Sequence, residues 1–285
     1  MARTRWWVGG LLSPLALYTL VFFVIPMLTM LVYSFWQTSG FALVRELTLK
    51  NYIQVFTDPV YATLIVRSLL VGLGAAVLSI LIAYPLAYTM AFKVKKHKDL
   101  LLFIVLLTLF GNYLIRIYAL RSLLSTNGLL DVILVGLGVA REHQSYLLYS
   151  PAGVAIALTN VYVPVAVLPI YSALLNIPRQ VGEAARDLGA GPLRGFYEVT
   201  LPLSTPGIVA AFVFIFLLST GDFVTPELVG GINGAMIGGS IINQFGVVFN
   251  WPLGSALAFS LILVMGLVLA MLAYGARSLG ILRRG

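Results

Sequence analysis

The chain predicts a single all-α membrane domain over residues 1–285, and three observations carry that prediction. Sixty per cent of the residues are hydrophobic, only 10% are charged and the mean hydropathy is +0.99. A soluble fold of this length needs far more surface charge. The charges leave long neutral runs, among them Trp6–Val44, Ser68–Phe92, Val199–Gly221 and Leu228–Ala276. The basic residues then gather on one side of the spans those runs define.

A spanning helix needs roughly 20 apolar residues, which places six helices at approximately 9–36, 64–92, 99–120, 152–175, 207–227 and 251–276. Arg3 and Arg5 precede the first, as in a signal peptide. Its apolar run is much longer than the ~7–15 residues of a signal core, so it reads as an uncleaved anchor. Asp58 and Arg67 bracket the start of the second helix as boundary residues. Arg116 marks the outer end of the third and reaches the interface on its long stem. Leu129–Val139 is apolar, but Asp131 interrupts it and it is too short to cross.

The fourth helix contains Pro164 and Pro169, which free backbone carbonyls; that is tolerated where neighbours or a cavity satisfy them. Tyr162 either lines such a cavity or packs as a core aromatic. Leu228–Asn250 holds six glycines and reads as a loop with a short interfacial or re-entrant helix. Trp251, just before Pro252, fits the aromatic belt at the start of the last helix.

With an inside N-terminus, twelve of the 18 basic residues lie on the cytoplasmic side, in the clusters Arg3–Arg5, Lys93–Lys98, Arg179–Arg194 and Arg277–Arg284. Only four acids accompany them (Asp99, Glu183, Asp187, Glu198), so the whole +8 charge sits inside. This is the positive-inside pattern, and it makes the basic balance a topology signal rather than a nucleic-acid footprint. There is no Cys, and His97 and His143 are too far apart for a ligand pair, so no metal site is expected. No nucleophile–base arrangement points to catalysis. A phosphate-binding P-loop needs a lysine after its glycines, and none occurs after Lys98. Energy must come from a partner or from an ion gradient.

Between the fourth and fifth helices lies EAARDLGAGPLRGFYEVTLP, Glu183 to Pro202. Pro178 suits the first turn of a helix and Gly189 its left-handed end. Pro192 then opens a second short helix through Val199, which Pro202 stops. The result is a helix–turn–helix elbow in a loop spanning 176–206. Small Ala184 and Ala185 permit close approach of another surface, and Glu183 offers it a carboxylate.

This segment resembles the cytoplasmic EAA loop of ATP-binding-cassette (ABC) importer permeases. Glu183, Ala184, Ala185, Gly189, Leu201 and Pro202 fall on that spacing, with Val199 in place of an isoleucine. The resemblance implies a type I importer permease fold, no enzymatic activity, and a loop that couples to a separate ATPase through Glu183, Ala184, Ala185, Asp187, Gly189 and Pro202. ATP and magnesium are then expected on the partner ATPase, with no cofactor on this chain. The further partners implied are a second permease subunit, as a heterodimer, and an extracytoplasmic solute-binding protein. The membrane implied is a prokaryotic inner membrane with both termini cytoplasmic.

Asn51–Gly72, Leu114–Leu130, Val161–Pro178, Gly221–Gly231 and Asn250–Ala258 look like segments of spermidine/putrescine-type permeases, with a departure at Gly111-Asn112-Tyr113. Many polyamine-type relatives carry a Trp and a small polar residue there. The function expected is therefore ATP-driven import of a small solute, a polyamine, by alternating access. Ferric iron or a phosphonate is the alternative solute, and a gradient-driven secondary transporter the alternative class. An ionisable residue inside a membrane is a pathway candidate. Asp222, in the outer half of the fifth helix, would pair with a cationic amine or, as a helix-end carboxylate, with Arg116. Glu227, Tyr162 and Arg116 complete the candidate pathway.

Overall fold

A computed structural model describes residues 14–40, 42–94, 96–138 and 147–278. Arg3, Arg5, Lys95, His143, Arg283 and Arg284 lie outside them. Two compact units share the chain: one holds the residues up to Ala62 and Ser240–Val264, the other Thr63–Gly239 and the residues from Met265 on.

In the first unit, α1 (Pro14–Ser34) is long and apolar enough to cross a membrane. A short antiparallel hairpin follows, β1 (Gln37–Ser39) and β2 (Ala42–Val44), in the register Gln37↔Val44 and Ser39↔Ala42. Gly40 turns it at φ +60°, a conformation glycine adopts without strain. The amphipathic α2 (Lys50–Thr57) then leads into α3 (Pro59–Lys93). Rings of Tyr33, Trp36, Phe245 and Trp251 cluster in this unit.

In the second unit α3 gives way to α4 (Lys98–Leu109), α5 (Tyr113–Leu124), α6 (Leu129–Gly136) and α7 (Pro151–Leu175). Then come α8 (Arg179–Asp187), α9 (Pro192–Thr220) and a π-turn at Pro226–Gly230, while α10 (Ile237–Gly246) and α11 (Trp251–Ser278) each run through both units, the first unit taking their residues between Ser240 and Val264. Helix α7 is the central element, with Ala157, Leu158, Ala166, Val167 and Ile170 fully buried. Ser150 caps it by accepting from the Gly153 N–H at 3.0 Å, with Pro151 in the first turn.

Membrane helices gain nothing from excluding water from one another, so small residues that admit close backbones drive their packing. Helix α3 buries Ser68, Gly72, Ala75, Ala76, Ser79 and Ala83. Gly207 of α9 lies against α7, where a Cβ would fall 2.5 Å from the Pro169 carbonyl oxygen and 2.6 Å from the Ala173 Cβ. Neither contact can yield without moving backbone. Gly207→Val is expected to destabilise the α7–α9 pair by ~1–3 kcal/mol or more, read as a lower melting temperature and yield in detergent.

Two helices differ from the sequence expectation. The third, expected over 99–120, is broken into α4 and α5 at Phe110–Asn112. Asn112 accepts the N–H groups of Leu114 (2.9 Å) and Ile115 (3.4 Å), starting a new helix where an uninterrupted one is expected. The fifth, expected over 207–227, starts at Pro192 and ends at Thr220, and Pro202 does not stop it. A π-turn at Phe196–Thr200 shifts the bonding register ahead of Pro202, with the Leu201 N–H reaching back to Phe196. The proline's missing donor and its ring then fall where no helical bond is broken. Leu129–Gly136 forms the eight-residue α6, and with α5 it makes the apolar stretch Tyr113–Gly136, long enough to cross a membrane, where the sequence places the third span at 99–120 and leaves 129–139 out.

Candidate functional site

Two constellations in the second unit bring the candidate residues together. The first is the elbow. Helix α8 spans Arg179–Asp187, with Pro178 at its N-cap rather than inside the first turn. Gly189 takes φ +81°, donates to the Arg186 carbonyl at 2.8 Å, and Ala190 donates to Ala185 at 2.9 Å. These are the two bonds of a Schellman motif, which closes a helix by a left-handed residue. Gly191 then precedes Pro192, the first residue of α9.

The turn leaves Glu183, Ala184, Asp187, Leu188 and Gly189 exposed, with Ala185 half-buried. Leu188 and Leu193 show 87% and 75% of their surface, unusual for leucines flanked by charges. Arg194 and Glu198 pair at 2.9 Å on the exposed surface of α9. Pro202 is also exposed, one turn farther on. A left-handed conformation costs a non-glycine residue about 1–2 kcal/mol. Gly189→Val is therefore expected to loosen the elbow, read as faster amide exchange in α8, while leaving the packing of α7 unchanged.

The second constellation surrounds the first turn of α5. Asp222 lies two residues beyond α9, buried rather than within a helix. Its Oδ1 accepts the Val224 N–H (2.8 Å) and the Thr225 N–H (3.3 Å), in the manner of an N-cap. Its Oδ2 accepts the Thr225 hydroxyl at 2.9 Å and the Tyr113 hydroxyl. The Tyr113 and Thr225 oxygens are 2.6 Å apart. Four donors thus serve one carboxylate, which satisfies a buried charge that would otherwise be costly.

Arg116 sits one turn after Tyr113, on the same face of α5. It does not pair with Asp222. Its guanidinium donates to the Asn160 carbonyl at 2.7 Å, to Val161 at 3.3 Å and to Thr108 at 3.3 Å. Pro164 has no N–H to offer Asn160, four residues earlier, so the proline creates the acceptor that Arg116 takes. The interfacial placement expected for Arg116 gives way to a tie joining α4, α5 and α7. Arg116→Met is expected to leave that carbonyl unpaired at a cost of ~1–3 kcal/mol, measured as a loss of thermal stability.

Arg116, Asn160 and Pro164 line a cavity of about 810 Å³ together with Leu78, Thr108 and Ile156. Among the pathway candidates only Arg116 lines it. Tyr162 is half-buried and packs against two clusters built on Ile117 and Val154, the aromatic-packing role. Glu227 is exposed within the π-turn at Pro226–Gly230. Tyr113, Thr225 and Asn160 are the residues that sequence reasoning does not single out, although Tyr113 stands in the departure at 111–113. A further tie is equally silent in sequence. Arg67, expected as a boundary residue, donates to the Ile232 and Ala235 carbonyls at 3.3 and 3.2 Å, and Ser68 accepts the Ile237 N–H at 2.9 Å.

Comparison with known proteins places this geometry. Residues 85–278 match the family described as binding-protein-dependent transport system inner membrane component. The chain is 36% identical to the spermidine/putrescine transport system permease protein PotB of Haemophilus influenzae, covering 88% of this chain and 87% of that one. It is 32% identical to the inner membrane ABC transporter permease protein YdcU of Escherichia coli, over 91% and 86%. Among solved structures, a chain of a bacterial alginate ABC transporter, in complex with its alginate-bound periplasmic protein, shares the fold at a TM-score of 0.74. It is 17% identical, and covers 97% of this chain and 96% of its own. Among the described residues, six apolar helical stretches long enough to cross a membrane accompany these likenesses: α1, α3, α5 with α6 (Tyr113–Gly136), α7, α9 and α11. The chain belongs to the family of binding-protein-dependent transport system inner membrane components, the multi-pass permease subunits of ABC importers.

Proposed function

We propose that the chain forms half of the pathway of a polyamine importer and is driven by a separate ATPase through the α8–α9 elbow. The observation that carries this reading is the 36% identity with a spermidine/putrescine permease across 88% of the chain. The exposed Glu183, Leu188 and Leu193 supply a docking surface that a lone chain has no reason to display. Alanines 184 and 185 keep it flat, Asp187 adds charge, and Gly189 and Pro202 fix its two ends. Both termini and the elbow lie on the cytoplasmic side in this reading, because the basic clusters do.

ATP and magnesium belong to the ATPase dimer, and this chain contributes no bond chemistry. A second permease, as a heterodimer, completes the path, and a soluble binding protein delivers the solute. ATP binding draws the elbows together and opens the pair outward; hydrolysis resets it. The permease needs only a different affinity for solute in its two states. Asp222 is the proposed pathway acid, and Tyr162, Glu227 and Arg116 are the further residues proposed for the pathway.

The test is uptake by vesicles holding the complete complex and its binding protein, challenged with spermidine, putrescine, ferric iron and an aminophosphonate. ATP-dependent uptake of the two amines alone is the expected result. Uptake of iron or phosphonate in their place would overturn the polyamine reading and leave the importer standing.

A further inference from the structure

Helix α2 divides its surface into three strips. At 100° per residue, Asn51, Tyr52 and Val55 form one strip and face inward, with Val55 fully buried. Lys50, Gln54 and Thr57 form a polar, exposed strip. Leu49, Ile53 and Phe56 fall within about 60° of arc between the other two, and they are apolar yet 59%, 60% and 54% exposed. Leu47, just before the helix, is 82% exposed. An inward strip, an apolar open strip and a polar open strip make a helix that has two environments besides the protein.

The level of α2 is set by what holds it. The Asn51 side-chain amide donates to the Ser34 and Trp36 carbonyls at 3.0 and 2.7 Å, and the Tyr52 and Ser34 hydroxyls lie 2.8 Å apart. These bonds fasten the inward strip to the last residue of α1, where the first span ends. At its other end α2 passes into α3 through Asp58 alone, whose carboxylate accepts the Val60 N–H at 2.8 Å. Both neighbours are long enough to cross a membrane. A helix fixed between two span ends sits at the boundary of the bilayer, and Trp36, with Arg45 5.6 Å over its ring, has the amphipathic chemistry of that level. Phe22 and Phe23 of α1 and Val60 at the start of α3, in the same unit, are likewise open.

We infer that α2 is an interfacial helix, with Leu49, Ile53 and Phe56 seated in the acyl–headgroup boundary and Lys50, Gln54 and Thr57 toward water. Burying one apolar strip at the interface is the way such helices bind membranes. The occupant of the strip is lipid. The function assigned to α2 is to hold at a fixed height over the membrane the β1–β2 hairpin, whose two flanking segments Thr48 and Asn51 join by donating to the Phe35 and Trp36 carbonyls.

The chain has no cysteine, so single-cysteine variants Ile53→Cys, Gln54→Cys, Phe56→Cys and Thr57→Cys can be spin-labelled in the assembled complex, with cysteine-free partners, in nanodiscs. Collision of each label with oxygen and with a water-soluble nickel chelate is then measured. The expected ratio of oxygen to nickel collisions is several-fold higher at 53 and 56 than at 54 and 57. Equal ratios at all four sites would place the strip in water and overturn the inference. Low collision with both reagents at 53 and 56 would mean that a protein partner covers it, which also overturns it. The unmodified chain gives an independent reading: a lipid bearing a diazirine at the first acyl carbons should label the peptide containing Leu49–Phe56. Labelling of α1 and α3 without that peptide would count against lipid.

Discussion

Glu183→Arg is expected to strip the ATPase from the complex while the permease itself still folds and inserts. Glu183 is exposed on α8, and its side chain takes part in no packing that the second unit depends on. Reversal on the helix surface changes its stability by only ~0.3–0.5 kcal/mol per charge pair. At a docked interface the same change sets like charges together, at a cost of several kcal/mol. Co-purification through the tagged ATPase should therefore fall by two orders of magnitude or more, and ATP-dependent uptake with it. The control is the melting temperature of the isolated permease, which should not move. Full ATPase retention in Glu183→Arg would remove the elbow from the interface.

Asp222→Asn carries the second large effect, and Tyr113→Phe decides what it means. The carboxylate already has four donors, so an amine must displace the Tyr113 hydroxyl from Oδ2 to reach it. If Asp222 receives the solute, Asp222→Asn should reduce polyamine uptake by tenfold or more, because a charged hydrogen bond of ~1.5–3 kcal/mol is lost. Tyr113→Phe, which vacates the oxygen without removing charge, should then preserve uptake. Should Tyr113→Phe impair uptake as severely as Asp222→Asn, the carboxylate is a knot that holds α5 to the segment after α9, and not a contact for the solute. The comparison is read from initial uptake rates at saturating and subsaturating solute.

The elbow was legible because its signals are local. Gly189 needs only its own sequence neighbours to close α8, and Pro192 only its own ring to open α9. The division at Phe110–Asn112 was written in Gly111 and Asn112, but apolar residues continue on both sides and hide a polar cap. Pro202 reads as a stop because the π-turn that accommodates it is a matter of bonding register, which residue type does not encode. The partners of Asp222 were out of reach for a different reason. Tyr113 stands 109 residues away, and only the packed fold brings the two together. Arg116 shows the same limit: sequence indicates that Pro164 frees a carbonyl, but not which side chain arrives to claim it.

That carbonyl has a meaning beyond the bond it accepts. In a bilayer a regular helix is chemically mute, since its backbone groups are all spent on itself. Two such helices can slide past one another by a turn and meet almost the same apolar surface. The gap left by Pro164 breaks that degeneracy. It marks the Asn160 oxygen as different from those of the regular turns around it, and a slip of one turn would carry the guanidinium of Arg116 about 5.4 Å away from it. The proline thus acts as an alignment mark, so that restoring a perfect helix at residue 164 would erase the address by which α5 finds its register.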